Sequence, residues 1–224
     1  MTFSLVARCE ATGMFGVAIA SSSPAVAARC SHARAGIGAV ATQNITNPAI
    51  GALALKLMEG CAKASNALFE IKRLEKYIEY RQVLIVDRSG ESAIHTGKHG
   101  LGRTASAQAA HIAAAGNLLA NDAVPNAMVA GYLAAEGPFG ARLLAGLRAG
   151  LDEGGEEGPV HSAGLKVVDE VPWPIVDLRS DWNDDCPVTE LERLWAIYYP
   201  QMNDYIKRAN NPEDAPSFGV PGDQ

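Results

Sequence analysis

The sequence predicts an α+β fold, a four-layer αββα sandwich in which two antiparallel sheets stack face to face between pairs of helices. Two observations lead to this prediction. The strands come as hairpins, whose members pair antiparallel, and the helices come two at a time. A doubly wound parallel sheet would instead alternate single strands with single helices along the chain. The pattern therefore favours stacked antiparallel sheets whose outer faces are covered by helices.

The first hairpin is predicted at the start of the chain. Residues 2–8 and 15–20 are apolar runs, and Ala11-Thr12-Gly13 supplies a turn between them. Residues 21–35 contain a proline and show no period, so they are expected to be irregular. Residues 36–42 are small and largely apolar on both faces, which is typical of a strand buried between two layers.

Two helices and a second hairpin follow. Asn47-Pro48 supplies a cap and a first-turn proline for a helix that ends at Gly60, and a second helix is predicted over residues 62–73. Strands are predicted over residues 82–86 and 92–95, with a tight loop between them.

The second half of the chain repeats this organisation. Residues 109–119 are assigned to a strand in spite of their alanine content, because Gly116 would cost a helix about 1 kcal/mol relative to alanine. The other elements are a loop over 97–107, helices over 122–135 and 139–151, a solvated acidic loop over 152–158, strands over 163–168 and 175–179, and a helix over 188–207. Residues 1–208 are expected to form one domain, and residues 209–224 an irregular surface tail.

Charge and composition exclude several kinds of partner. The net charge is -6 and the 19 Lys and Arg residues are scattered, which argues against nucleic acid and against an anionic membrane. No apolar run is long enough to span a bilayer, and the start of the chain lacks the basic segment of a secretory signal, so a cytoplasmic protein is expected. The four cysteines have neither disulfide-framework nor zinc spacing, and neither a metal nor a cofactor is expected.

Thr2 is the first candidate for chemistry. If Met1 is removed, Thr2 carries a hydroxyl and a free α-amine, and the amine can take the proton of the hydroxyl. An α-amine titrates near pH ~8, so it is available as a base at neutral pH. With Met1 attached, the same nitrogen is an amide and cannot act as a base. On the structural alternative, Thr2 merely begins a strand.

The chain resembles a bacterial family of unknown function, domain-of-unknown-function family 1028, which is similar in fold to the N-terminal nucleophile (Ntn) hydrolases and proteasome β-subunits. The segments that carry the likeness are residues 2–8, 11–13, 16–21, 24–26, 33–43, 46–48, 116–119 and 176–179, with Gly51. The likeness extends over about residues 2–208 and is most specific in the first fifty. It implies the αββα fold and a nucleophile at Thr2, but no established activity.

Three further residues are candidates for substrate binding. Ser4 lies two positions after Thr2 and therefore on the same face of the strand. Ser21 ends the neighbouring strand, and Gln43 ends the third one, where its amide could face a developing oxyanion. The structural alternatives are a core hydroxyl for Ser4 and a polar loop for Ser21.

Asn44, Asn117 and Arg34 complete the predicted catalytic set. Asn44 ends the third strand, and Asn117 lies in an apolar strand where its amide needs partners, so both are candidates for oxyanion or orienting roles. The likeness to Ntn hydrolases implies a basic residue near the nucleophile, and Arg34 is the candidate. Because arginine does not deprotonate, its role would be electrostatic; a structural ion pair is the alternative.

Three hypotheses about function remain open at this point. The first is an Ntn-type amidohydrolase that acts on a small amide-bearing metabolite. The second is a non-catalytic member of the fold that keeps Met1 and uses the cleft for a ligand or its surfaces for assembly. The third is an enzyme with another nucleophile, such as Ser21 or Cys9. Because Ntn folds often assemble through their outer helices, a homo-oligomer is expected.

Overall fold

The computed structural model describes residues 2–221 and contains ten strands and seven α-helices in that range. The strands are β1 (Thr2–Arg8), β2 (Phe15–Ser21), β3 (Ser31–Arg34), β4 (Gly38–Asn44), β5 (Arg81–Asp87), β6 (Ser92–Thr96), β7 (Ala105–Ala109), β8 (Ile112–Asn117), β9 (Ser162–Val168) and β10 (Val176–Ser180). The helices are α1 (Val26–Cys30), α2 (Ala49–Glu59), α3 (Ala64–Leu74), α4 (Val124–Ala134), α5 (Phe139–Asp152), α6 (Pro187–Tyr198) and α7 (Met202–Asn210). The expectations for Met1 and residues 222–224 concern positions outside this range.

The strands form two sheets. The larger has six strands in the order β10-β9-β2-β1-β8-β7, and the smaller has four in the order β3-β4-β5-β6. All of these neighbours pair antiparallel. Strand β1 therefore lies inside the larger sheet, with β2 on one side and β8 on the other.

Three apolar clusters define the layers. One joins the six-stranded sheet to α4, α5 and α6, and a second joins the four-stranded sheet to α2 and α3. The third lies between the two sheets and is built from small and branched side chains such as Val6, Ala41 and Leu84. The predicted four-layer αββα sandwich of two antiparallel sheets is therefore confirmed.

The alternation of side chains along β1 shows how the layers are filled. Phe3, Leu5 and Ala7 pack into the cluster that contains α4 and α5, whereas Val6 packs between the sheets. Because successive side chains of a strand point to opposite faces, Thr2 and Ser4 share the inter-sheet face with Val6. Burial of one face against helices and the other against a sheet explains why β1 is almost continuously buried.

Two segments that were expected to lack regular structure contain it. Residues 21–35 hold the short helix α1 and the edge strand β3, and residues 97–107 contain the start of β7. Strand β7 has the sequence ASAQA, and strand β3 has the sequence SHAR. Strand β3 is short and polar, and the alternation in β7 involves only alanine as its apolar residue, so neither segment gives a strong strand signal; their pairing is set by their partners β4 and β8.

Two long predicted elements are interrupted. Residues 109–119 are divided between β7 and β8 by a turn in which His111 has φ +67°. The helix predicted over 188–207 is divided into α6 and α7 by a 3-10 turn over Tyr199–Gln201. Pro200 lies in that turn, and proline lacks the N–H needed to continue an α-helix.

The C-terminal segment folds back onto α7. Arg208 donates hydrogen bonds to the carbonyls of Pro216 and Ser217, at 3.0 and 2.9 Å, and its guanidinium lies 3.8 Å from the ring centre of Phe218. Up to residue 221 the tail is exposed. Each helix in the described chain is too short or too polar to cross a bilayer.

Candidate active site at the polar end of the inter-sheet layer

The layer between the sheets is apolar over most of its length and polar at one end. At that end, buried polar side chains occupy the positions on five strands that face the opposite sheet. We call this cluster the polar end; its members are Thr2, Ser4, Ser21, Gln43, Gln82 and Asn117. Each is at most 5% exposed. Because buried polar groups are costly unless they are hydrogen-bonded, a cluster of this size requires its own network.

Thr2 lies between Ser21 and Asn117. Its Oγ1 is 3.3 Å from Ser21 Oγ, and in the register of β1 and β8 it lies directly opposite Asn117. The Asn117 amide donates to Gln82 Oε1 at 3.3 Å, and its own Oδ1 is buried without a hydrogen-bond donor among residues 2–221. An acceptor next to the Thr2 backbone is therefore available for an amine or a substrate N–H.

Ser21 is held by the turn that follows it. Its hydroxyl accepts the N–H of Ser23 at 3.0 Å, and its carbonyl accepts the N–H of His161 at 2.9 Å. The carbonyl of Ser23 in turn accepts a 2.6 Å hydrogen bond from Ser162 Oγ. Ser21 Oγ is thus held beside Thr2 Oγ1 by the turn after β2, which is itself fixed by contacts from His161 and Ser162 at the start of β9.

Ser4 and Gln43 belong to a chain of hydrogen bonds that joins the sheets. Ser4 Oγ donates to Gln43 Oε1 at 2.6 Å, Gln43 Nε2 donates to Gln82 Oε1 at 2.7 Å, and Gln82 Nε2 donates to Thr96 Oγ1 at 3.0 Å. The two amides also donate to the carbonyls of Ala115 and Gly116 on β8, at 3.1 and 3.0 Å. This arrangement satisfies the hydrogen-bonding groups of both glutamine amides. Ser4 and Gln43 therefore belong to the hydrogen-bond network that holds the strands around Thr2 in place.

Glu156 approaches the polar end from the segment after α5. It is 5% exposed, and both of its carboxylate oxygens accept the N–H of Ser22 at 3.2 Å. Burial raises the pKa of Glu156 to about 7, while the positive charge of the amino terminus and the hydrogen bonds from Ser22 act in the opposite direction. A buried carboxyl group with this pKa can exchange a proton near neutral pH.

The prediction that residues 152–158 form a solvated acidic loop is wrong for Glu156. Gly154 and Gly155 have φ +127° and +56°, and an antiparallel bridge pairs Glu156 with Leu119. These left-handed glycines turn the chain back toward β8 and direct the side chain of Glu156 inward. Glu156 and Gln82 are the two residues of this site that sequence reasoning missed.

The structure does not bring Arg34 to Thr2. Arg34 pairs with Gly38 at the far end of β4, five residues from Gln43, which corresponds to roughly 17 Å along the strand. Its side chain is 49% exposed and forms a 3.0 Å ion pair with Glu59. The expectation that Arg34 supplies charge to the nucleophile is therefore corrected, and the described residues of the polar end include neither lysine nor arginine.

Asn44 also faces away from the site. It has φ +73°, its Nδ2 donates to the carbonyls of Tyr80 and His99 at 2.7 and 3.4 Å, and its Oδ1 accepts the N–H of Leu101 at 3.1 Å. Asn44 thus holds two loops together instead of facing an oxyanion. Cys9, the alternative nucleophile, follows the opposite end of β1 and packs in the core against the helices, so only Ser21 of the two alternatives lies beside Thr2.

Several solved structures are similar to this chain. Protein SPO2555 from Silicibacter pomeroyi, a DUF1028 protein, is 28% identical, with a TM-score of 0.82 over 88% of each chain. The Anbu (Gly-1) mutant from Hyphomicrobium sp. strain MC1 is 11% identical, with a TM-score of 0.41 over 90% of this chain and 96% of that one. BPH from Thiobacillus denitrificans, in complex with epoxomicin, is 16% identical, with a TM-score of 0.39 over 76% of this chain and 100% of that one.

None of the curated proteins compared with this chain matches it. The family described as "Family of unknown function (DUF1028)" matches residues 2–191, which is most of the chain. The chain therefore belongs to the DUF1028 family.

Proposed function

We propose that this chain is an Ntn-type amidohydrolase in which removal of Met1 exposes Thr2 as the nucleophile. The observation that carries the proposal is the position of the Thr2 hydroxyl. It lies at the polar end, 3.3 Å from Ser21 Oγ and opposite Asn117, beside the turn that holds the Glu156 carboxyl group. A nucleophile and an orienting hydroxyl on interior strands, with a buried acid from the segment after α5, form an arrangement suited to covalent catalysis.

The proposed reaction uses the α-amine and the hydroxyl of Thr2. The freed α-amine takes the proton of Oγ1 as Oγ1 attacks the amide carbonyl carbon. Collapse of the tetrahedral intermediate breaks the C–N bond, and the leaving amine takes the proton from the ammonium. Water, deprotonated by the same amine, then hydrolyses the ester on Thr2, releases the acid and restores the hydroxyl.

Glu156 and Asn117 are proposed to hold the amine in place. The carboxylate favours the protonated amine, and Asn117 Oδ1, which lacks a donor within residues 2–221, can accept one of its N–H bonds. This assignment replaces Arg34 by a carboxyl group as the charged residue of the site. It is supported by the raised pKa of Glu156, which allows that group to share a proton with an amine near neutral pH.

The proposed substrate is a small amide-bearing metabolite. The Thr2 hydroxyl lies among buried polar side chains between the two sheets, and a nucleophile in this position favours a small molecule over a folded polypeptide. Ser21 would take part in binding it, with Ser4 and Gln43 supporting the site from behind. The further parts of the proposal are a cytoplasmic location and assembly as a homo-oligomer.

The test begins with the intact mass of the protein purified from its native host. A mass lower by one methionine would show that Met1 has been removed and that Thr2 is the first residue. The processed protein is then assayed against a panel of small amides beside Thr2→Ala, Thr2→Ser and a control, Thr12→Ala, which changes an exposed turn threonine. We expect Thr2→Ala to lower kcat/KM by about 10³-fold or more, Thr2→Ser to retain part of it, and Thr12→Ala to match the wild type.

Two results would contradict the proposal. Retention of Met1 in the native protein would remove the base and favour the non-catalytic hypothesis, in which the same site binds a ligand. Full activity of Thr2→Ala in a processed protein would point instead to another nucleophile, and Ser21→Ala would then distinguish the neighbouring hydroxyl.

A further inference from the structure

A polar cavity lies at the opposite end of β1 from Thr2. Its volume is about 380 Å³, it is open to solvent on one side, and it is lined by two hairpin turns and by residues of α4 and α5. The residues that line it include Arg8, Glu10, His111, Tyr132, Leu133 and Arg142. Arg8 is six residues from Thr2, or roughly 20 Å along the strand, so this cavity is separate from the candidate active site. We call it the arginine cavity.

The two arginines of the cavity are not neutralised by carboxylates. The ion pairs made by arginines within residues 2–221 involve other side chains, at positions 34, 73, 81, 103, 148, 179 and 193. The Nε atom of Arg142 is buried and has no hydrogen-bond acceptor in the described chain. Within residues 2–221 the guanidinium of Arg142 forms neither a hydrogen bond nor an ion pair, so its terminal N–H groups are available to a ligand.

Tyr132 fixes the orientation of Arg142. The guanidinium carbon lies 4.4 Å from the centre of the buried Tyr132 ring, at a distance typical of a stacked cation–π contact. Stacking holds one flat face of the guanidinium and leaves its N–H edge for hydrogen bonding. That edge matches the two oxygens of a carboxylate or phosphate group, and its orientation is set before any ligand binds.

His111 forms the edge of the cavity in a strained conformation. Its φ is +67°, and it is packed so closely on Gly90 that a Cβ atom added to Gly90 would lie 1.8 Å from Nδ1. The other ring nitrogen, Nε2, is 3.9 Å from Glu10 Oε1, and Glu10 is 83% exposed at the rim. Non-glycine residues at positive φ are uncommon and often mark sites with a function.

We propose that the arginine cavity binds a small molecule through a carboxylate or phosphate group. Arg142 supplies a positive charge at the cavity, whose lining also includes Arg8, in a chain of net charge -6, and one exposed carboxylate, Glu10, lies at the rim. Because stacking fixes the orientation of the Arg142 guanidinium, its paired N–H groups favour a ligand with carboxylate or phosphate oxygens. The volume of about 380 Å³ limits that ligand to the size of a metabolite. This site does not depend on Thr2 or on the proposed hydrolysis.

The test is isothermal titration calorimetry on the full-length protein. Sodium phosphate and sodium succinate are titrated separately at constant ionic strength, with sodium chloride as the balancing salt. The proposal predicts saturable binding of at least one anion with a dissociation constant of about 1 mM or tighter. Binding of phosphate alone assigns a phosphorylated ligand, and binding of succinate alone assigns a carboxylate.

Lysine variants show whether the bound anion occupies this cavity. Arg142→Lys and Arg8→Lys keep the charge but lose the bidentate fork, and each is expected to weaken binding at least tenfold. Arg103→Lys is the matched control, since Arg103 is exposed and about 4.0 Å from Asp122. Absence of saturable binding for both anions would overturn the proposal. So would equal affinity in the wild type and in both cavity variants, provided that their thermal unfolding confirms that they fold.

Discussion

The backbone N–H of Ser22 points between the two carboxylate oxygens of Glu156, 3.2 Å from each, although 134 residues separate them in the chain. This contact ties the end of β2, next to Thr2, to the segment that follows α5. It places the carboxyl group of Glu156, whose pKa is raised, next to the polar end. The described side chains of the polar end itself include no acid. Three of the predictions below depend on this contact or on the network behind it.

Protonation of Glu156 should make the stability of the protein depend on pH. The pKa of Glu156 in the folded protein is about 7, above its ordinary value of 4.5, so the folded state takes up a proton more readily than the unfolded state. This contribution to stability is complete below pH ~4.5 and is lost as the pH rises through 7. Between pH 5 and 8 the free energy of unfolding should therefore fall by about 2 kcal/mol more in the wild type than in Glu156→Gln, as measured by urea denaturation.

Glu157→Gln is the matched control for this measurement, because Glu157 is the exposed neighbour of Glu156. Its stability should follow the wild type at every pH. Parallel curves for the wild type and Glu156→Gln would show that the carboxyl group titrates normally in the folded protein.

Glu156 should also affect the pH dependence of hydrolysis. If the Thr2 amine acts as the base, activity requires its neutral form, and a neighbouring carboxylate raises the pKa of that amine. Removal of the charge in Glu156→Gln should therefore move the acidic limb of the kcat/KM profile to lower pH, while Glu157→Gln leaves it in place. A shift to higher pH in Glu156→Gln would contradict this assignment.

The Gln43 amide should be important for folding. In Gln43→Leu, the Ser4 hydroxyl, Gln82 Oε1 and the Ala115 carbonyl each lose a hydrogen-bonding partner in a buried site. We expect a loss of about 2–4 kcal/mol in the free energy of unfolding, because unsatisfied buried groups cost about 1–3 kcal/mol each. Gln108→Leu, on an exposed position of β7, should change it by about 0.5 kcal/mol or less. Equal effects of the two substitutions would show that the network can rearrange.

Arg34 should have little influence on catalysis. Its ion pair with Glu59 is exposed on both sides, and exposed pairs typically contribute less than about 1 kcal/mol. Arg34→Gln should therefore retain the activity of the wild type against any amide that the processed protein hydrolyses. A large fall in kcat/KM would restore the original expectation that this arginine acts on the nucleophile.

Much of the site was predictable from strand periodicity, because a two-residue alternation places neighbouring strand ends on one face. Thr2, Ser4, Ser21, Gln43 and Asn117 are all brought to the polar end. The same alternation explains the error at Asn44, which is one position from Gln43 and therefore points to the opposite face. The error at Arg34 was avoidable, because Arg34 precedes the predicted third strand and Gln43 ends it, which places the two at opposite ends of that strand.

Glu156 could not be predicted from local pattern. It lies in an acidic, glycine-rich segment whose neighbours are exposed, and only the return of the chain to Leu119 distinguishes it from Glu153 and Glu157. Its contact with Ser22 joins residues 134 positions apart, and the residue type carries no sign of it. The one available signal was the pair of glycines before it, Gly154-Gly155, which permits a sharp reversal.

The position of Thr2 in an interior strand also determines when the protein could mature. Once β1 is paired with β8, Thr2 lies opposite Asn117 and is buried. On the proposed mechanism, an aminopeptidase would act most easily while the chain end is still extended, before β1 pairs with its neighbours. The order of folding and trimming would then decide whether a given chain acquires the proposed activity.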